Sequence, residues 1–121
     1  MDSPHIVIVD DNDAVRAAVA AVARDALPSA FVTEFVSASG ALQEVMGGSV
    51  DLLITNCFMP DMDGPTLVRM IRKQSIAVPI IMVSASEEAR ELGEEAGIDR
   101  FITKSAIGSL LPQAMDALIR P

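Results

Sequence analysis

Short runs of β-branched and aliphatic residues alternate with segments of helical spacing five times along a chain of 121 residues, and that alternation leaves few folds open. The runs cover 5–9, 31–36, 51–55, 79–84 and 100–103. Three of them, Ile6-Val7-Ile8-Val9, Leu52-Leu53-Ile54 and Ile80-Ile81-Met82-Val83, are almost continuously apolar. A strand covered on both faces in a parallel sheet has this pattern, whereas the second and fifth runs are mixed, as edge strands are.

The intervening segments carry apolar residues at intervals of three and four. Over 13–26 the stripe is Val15, Val19, Val22 and Ala26, with Arg16 and Arg24 off it. A second helix is predicted from Ser39 or Gly40 to Met46, closed by Gly47-Gly48, where glycine accepts the left-handed conformation. A third is predicted from Pro65 to about Gln74, carrying Leu67, Val68 and Ile71. The fourth, about 86–96, has Ser86 as its expected cap and a thin stripe of Ala89, Leu92 and Ala96 interrupted by Gly93, so it is expected to be the least firmly held. The last places Leu110, Leu111, Ala114, Met115 and Leu118 on one side, with Ser109 as cap and Pro112 in the first turn. With no spare length, the expected fold is a single-domain α/β sandwich. Its parallel five-stranded sheet is doubly wound with order 2-1-3-4-5, the flavodoxin-like (βα)5 arrangement.

Composition removes several classes of function. Seventeen acidic against nine basic residues give a net charge of −8, which repels phosphate backbones and anionic lipids, and the chain has neither Trp nor Tyr to stack on bases. No direct nucleic-acid or membrane binding is expected. No apolar run approaches the roughly 20 residues of a membrane span, and the opening Met-Asp-Ser-Pro-His has no secretory pattern, so the expected compartment is the cytoplasm. The single cysteine, Cys57, reads as a buried free thiol. Pro121 follows the last helical segment directly, so residues 1–121 are expected to be one domain without an output domain.

In a sheet of this kind the functional crevice lies beyond the carboxyl ends of the strands. The residues there are Asp10-Asp11, Asn56, Ser84 and Lys104. Together with Met59-Pro60-Asp61-Met62-Asp63-Gly64 after the third strand, Ser84-Ala85 after the fourth and Phe101-Ile102-Thr103-Lys104 at the fifth, they give the chain a resemblance, along its whole length, to the receiver domains of two-component response regulators. In that family a carboxylate three residues before the Met-Pro pair is phosphorylated by a histidine kinase or phosphotransfer protein, and here that position is Asn56.

The resemblance implies a role for each residue. Asp11 would ligate a divalent cation of the Mg²⁺ type, Asp10 would orient metal-bound water, and position 56 and the backbone carbonyl of Phe58 would complete the protein's share. Ser84 and Lys104 would each engage a phosphoryl oxygen. Phe101 holds the position of the switch aromatic, which moves inward when the Ser84 hydroxyl shifts towards phosphate. Output would pass through the face formed by the fourth helix, fifth strand and fifth helix, where an output domain, a partner or a second copy docks. Ser105 stands where many receivers have a proline with a cis bond, so no cis bond is expected there.

An asparagine changes this chemistry at its centre. A carboxylate oxygen has charge and a lone pair for attack on phosphorus, whereas the carboxamide is neutral and its nitrogen lone pair is delocalised. No ordinary acyl phosphate can form on Asn56. The acidic count falls from three to two, so cation affinity should weaken and carboxylate repulsion relax.

Plainer readings stand beside these: Asp10 and Asp11 as a turn acid and a helix cap, Asn56 as a turn residue, Ser84 as a satisfied strand end, Lys104 as a surface charge and Phe101 as a core aromatic. His5 reads as structural, and Asp61 and Asp63 as residues that shape their loop. Thr55 could substitute as acceptor, but strand alternation points it away from Asn56. Three functions follow: a receiver whose phosphorylation is blocked, by natural loss or by engineering; a pseudo-receiver that docks proteins independently of phosphate; and a phosphohydrolase. The residues Val9-Asp10-Asp11-Asn12-Asp13 lack the pattern expected of the hydrolase.

Overall fold

The computed structural model describes residues 3–119. Strands β1 (His5–Val9), β2 (Phe31–Phe35), β3 (Leu52–Asn56), β4 (Ile80–Ser84) and β5 (Arg100–Thr103) form one sheet. They alternate with α1 (Asp13–Ala26), α2 (Ala38–Met46), α3 (Gly64–Lys73), α4 (Glu88–Ala96) and α5 (Ile107–Leu118). Every pairing is parallel and the order is β2-β1-β3-β4-β5, as the sequence predicts.

Successive residues of a strand face opposite sides, so the apolar runs build two cores at once. Ile6, Ile8, Leu52, Ile54, Ile81, Val83 and Ile102 pack with Val19, Ala20 and Ala23 of α1 and Ile107, Leu111 and Met115 of α5. On the other side Val7, Val9, Leu53 and Ile80 pack with Ala41 and Val45 of α2 and Leu67, Val68 and Ile71 of α3. No helix among the described residues is long and apolar enough to cross a membrane. Pro121 lies outside those residues.

Helix ends differ from expectation where a cap comes from an unexpected residue. Helix α2 starts at Ala38 with Ser37 as N-cap, one residue before Ser39 and two before Gly40, the predicted starts, and the Asp61 carboxylate also faces the N–H groups of Ala38 (3.4 Å) and Ser39 (3.3 Å). Its close falls to Gly48 at φ 87°, while Gly47 stays right-handed. Asp63 caps α3 by accepting the Thr66 N–H at 2.8 Å, one residue before the predicted boundary.

Ser86 is not the cap of α4. The cap position is Glu87, whose side chain makes no cap bond, while Ser86 Oγ accepts the Glu88 N–H at 3.2 Å from one residue further out. The buried face of α4 is Ala89, Gly93 and Ala96, and Leu92 is 40% exposed. Small residues win because a Cβ on Gly93 would come within 2.8 Å of Met82 Sδ, so the helix lies close on the sheet. In α5 a single 3-10 turn, Lys104–Ala106, precedes the helix, so Pro112 lies inside it and Ser109 is not its cap. The carbonyl four residues before Pro112 belongs to Gly108, which is exposed, so water can replace the missing bond. Leu110 is 44% exposed, off the expected stripe, as is Ala26 in α1, where Ala23 takes the buried place. All peptide bonds among the described residues are trans, including the one before Ser105.

At the amino end of β4, Arg72 donates to the carbonyls of Gly97 (3.0 Å), Ile76 (2.9 Å) and Val78 (2.7 Å) and to Asp99 Oδ2 (3.1 Å). One guanidinium thus ties α3, the α3–β4 loop and the end of α4. Arg72→Ala should lower stability by about 2 kcal/mol, because three carbonyls lose their donor in a partly sheltered place. For a domain of this size that is a fall in Tm of about 8 °C, and calorimetry showing no fall would refute the role.

Candidate functional site

The parallel sheet brings four strand ends to one rim. Strand β1 ends at Val9, so Asp10 and Asp11 lie just past it; β3 and β4 end on Asn56 and Ser84; and Lys104 follows β5. Because β2 lies on the far side of β1, the crevice opens between β1 and β3, where the winding reverses. Asp10, Asn56 and Ser84 are 3%, 7% and 2% exposed, which is deep for polar groups.

Asn56 is the centre of the arrangement. Its Oδ1 accepts the Cys57 N–H at 2.9 Å, and its Nδ2 donates to the Phe58 carbonyl at 2.9 Å. The second amide hydrogen points between Asp10 Oδ1 (3.4 Å) and Asp11 Oδ1 (3.5 Å). Turning the amide over would set NH2 against the Cys57 N–H and oxygen against the Phe58 oxygen, so the surroundings fix its orientation. Two carboxylates and a carbonyl converge as hard-cation ligands do, but the side chain between them presents donors instead of another oxygen. As arranged, these residues do not fit a divalent cation. Among the described residues no three His, Cys, Asp or Glu gather as metal ligands.

Ser84 Oγ accepts the Ser86 N–H at 3.3 Å. Lys104 opens the 3-10 turn, and its charge reaches Asp10. Phe101 is kept apart from the crevice: it is 9% exposed and shares a cluster with Cys57, Met82 and Ala89. The Arg90 guanidinium lies 4.6 Å above its ring and is itself held by Glu87 at 2.9 Å. The Phe58 side chain is 55% exposed, leaving only its carbonyl in the crevice. Thr55 Oγ1 is turned to the Asn56 carbonyl oxygen at 2.9 Å, away from the cluster, and His5 is bonded to Thr33 Oγ1 at 2.8 Å at the opposite end of the sheet.

The family model for the response regulator receiver domain matches residues 6–116. The chain belongs to this family. It is 33% identical to the transcriptional regulatory protein CseB of Streptomyces coelicolor over 98% of its own length and 50% of that protein, so it spans about half of that relative. It is 38% identical over 78% of its length to the sensor kinase CckA of Brucella abortus, of which it covers 10%. Among solved structures, the receiver domain of a sensor histidine kinase from Pseudomonas aeruginosa, which has a magnesium ion coordinated in its active site cleft, superposes with a TM-score of 0.86 at 25% identity, over 97% of this chain and 98% of that one.

Within this receiver, burial pushes the Asp10 carboxyl above the ordinary carboxylate range and Asp11 adds to the push, against the Asn12 N–H and the charge of Lys104. The folded form therefore holds a proton to higher pH than the unfolded chain. Stability is lost as pH rises from the ordinary range through the folded value, and the full penalty applies at neutral pH. Asp10→Asn should therefore raise the Tm at neutral pH, and calorimetry should find the gain shrinking as pH falls towards the ordinary range. A gain independent of pH would show another cause.

Spacing alone does not reveal two participants. Arg16, off the apolar stripe of α1, bends back to donate to the Asp10 carbonyl at 2.8 Å and to Asp13 at 2.7 Å, and so steadies the acidic turn. Asn12, instead of either neighbouring acid, caps α1 by accepting the Val15 N–H at 3.0 Å. That frees Asp10 and Asp11 to face Asn56. The Cys57 thiol is pushed up by burial, then by the charge of Asp63, and lies in the buried cluster of Met82, Ala89 and Phe101.

Proposed function

We propose that this chain is a signalling receiver that accepts no phosphoryl group at position 56 and works in the conformation it holds without phosphate. The observation that carries the reading is the neutral Asn56 carboxamide, buried at the rim with its oxygen bound to the Cys57 N–H and its NH2 group facing Asp10, Asp11 and the Phe58 carbonyl. It offers no nucleophilic oxygen to phosphorus. Ser84 and Lys104 then stand as phosphoryl-binding groups without a phosphoryl group to bind. Residues 1–121 act as the receiver unit of a cytoplasmic signalling protein, whose partners are a histidine kinase or phosphotransfer protein and an output domain, a partner or a second copy on the α4-β5-α5 face.

The pseudo-receiver reading, docking independent of phosphate, has its own support. Phe101 already lies inward beneath Arg90, the place a switch aromatic reaches on activation. A hydrolase is disfavoured because turnover through this crevice needs the nucleophile that Asn56 lacks. The test is an amide ¹H–¹⁵N spectrum recorded before and after addition of a small phosphodonor with Mg²⁺. The spectrum should be unchanged, and new signals from Asn56, Ser84 and Lys104 would contradict the reading.

A further inference from the structure

We propose that the Asn56 side chain is the resident occupant of the cation position, so that this receiver is closed to divalent metal by its own amide. The inference rests on the reading of Asn56 above but adds a physical cause beyond a missing ligand. An exchange of carboxylate for amide would, on charge alone, leave two acids and a carbonyl open to a weaker cation. Here the space among those oxygens is filled. Nδ2 lies 2.9 Å from the Phe58 oxygen and 3.4 and 3.5 Å from the carboxylates of Asp10 and Asp11. One hydrogen satisfies the carbonyl and the other is shared by the two acids, so a single neutral group bridges all three as a metal ion would.

The amide cannot easily make way. A hard cation such as Mg²⁺ demands oxygen ligands at short range in near-octahedral order, so Nδ2 would have to leave and Oδ1 take its place. Oδ1 is committed to the N–H of Cys57, a residue with no exposed surface. Rotation would set the NH2 group against that N–H where no water is at hand to compensate. The bond to Cys57 therefore latches the nitrogen in the crevice between the two carboxylates.

The test compares the parent chain with Asn56→Asp and Asn56→Ala by thermal unfolding in EDTA and in millimolar Mg²⁺, with Mn²⁺-induced NMR line broadening as a second readout. The parent should unfold at the same temperature in both and show no broadening at the Phe58 and Asp11 amides. Both variants should gain a Mg²⁺-dependent rise in Tm by mass action, the alanine form included, because removing the amide reopens the space although it restores no carboxylate. A rise in the parent equal to that of Asn56→Asp would overturn the inference. So would an alanine form as indifferent as the parent, since loss of a ligand would then suffice, and so would an aspartate form without a rise. None of these results bears on phosphate at position 56, which the amide spectrum with phosphodonor reads separately.

Discussion

Gly64→Ala should lower the Tm by about 12 °C, the largest loss of stability expected from adding one methyl group to this domain. Gly64 opens α3 and donates its N–H to the Cys57 carbonyl at 2.6 Å, folding the β3–α3 loop tightly back on the end of β3. A Cβ there would overlap the carbonyl oxygen of Asn56 and lie 3.1 Å from the Cys57 Cα. Both are backbone atoms, of the last residue of β3 and of the one after it, so no side chain movement relieves them. Relief must come from moving the start of α3 away from the sheet, with loss of the Gly64–Cys57 bond and of packing under Leu67. Overpacking of this kind costs about 3 kcal/mol. The strain also falls on Asn56 and Phe58, so the signals of both should move in an amide spectrum of any folded fraction. An unchanged Tm would mean that the loop is looser than its geometry implies.

The strands were legible because a doubly covered strand has to be apolar at nearly every position, and Ile6–Val9 and Ile80–Val83 announce that without any long-range information. Helix boundaries were less so, because caps answer to tertiary geometry: Asp61 reaches the start of α2 across more than twenty residues of chain. The face of α4 was misread at Leu92 because hydrophobicity favours the large residue, while the helix lies so close to the sheet that even a Cβ on Gly93 would press on the Ile98 and Met82 side chains. Arg72 was invisible as a tie, since its partners lie on two segments, the α3–β4 loop and the α4–β5 connection some twenty-five residues further on.

The site shows the same division. Strand ends and topology alone bring Asp10, Asp11 and Asn56 together, so their proximity could be read from the alternation of elements. Which way the amide of Asn56 turns could not, because that depends on the N–H of Cys57 and the carbonyl of Phe58. Both are backbone groups whose directions exist only after β3 has folded into the loop.

Asn56→Asp should have the largest chemical effect, taking the chain from no phosphorylation to as much as one phosphoryl group per molecule. One carboxylate oxygen would keep the Cys57 N–H, while the other would replace the NH2 group and face the oxygens of Phe58, Asp10 and Asp11. Without metal that acceptor-to-acceptor crowding should destabilise the variant by roughly 1–3 kcal/mol relative to the parent. The same oxygen carries the charge and lone pair that attack on phosphorus requires, in reach of the fields of Ser84 and Lys104. Lower stability and gained reactivity thus have one origin, the exchange of a donor for an acceptor at a single atom.

The most direct measurement is intact mass of the parent and the Asn56→Asp form, incubated side by side with Mg²⁺ and a small phosphodonor and quenched rapidly. The account predicts the added mass of one phosphoryl group on the aspartate form alone; the same addition on the parent would contradict it.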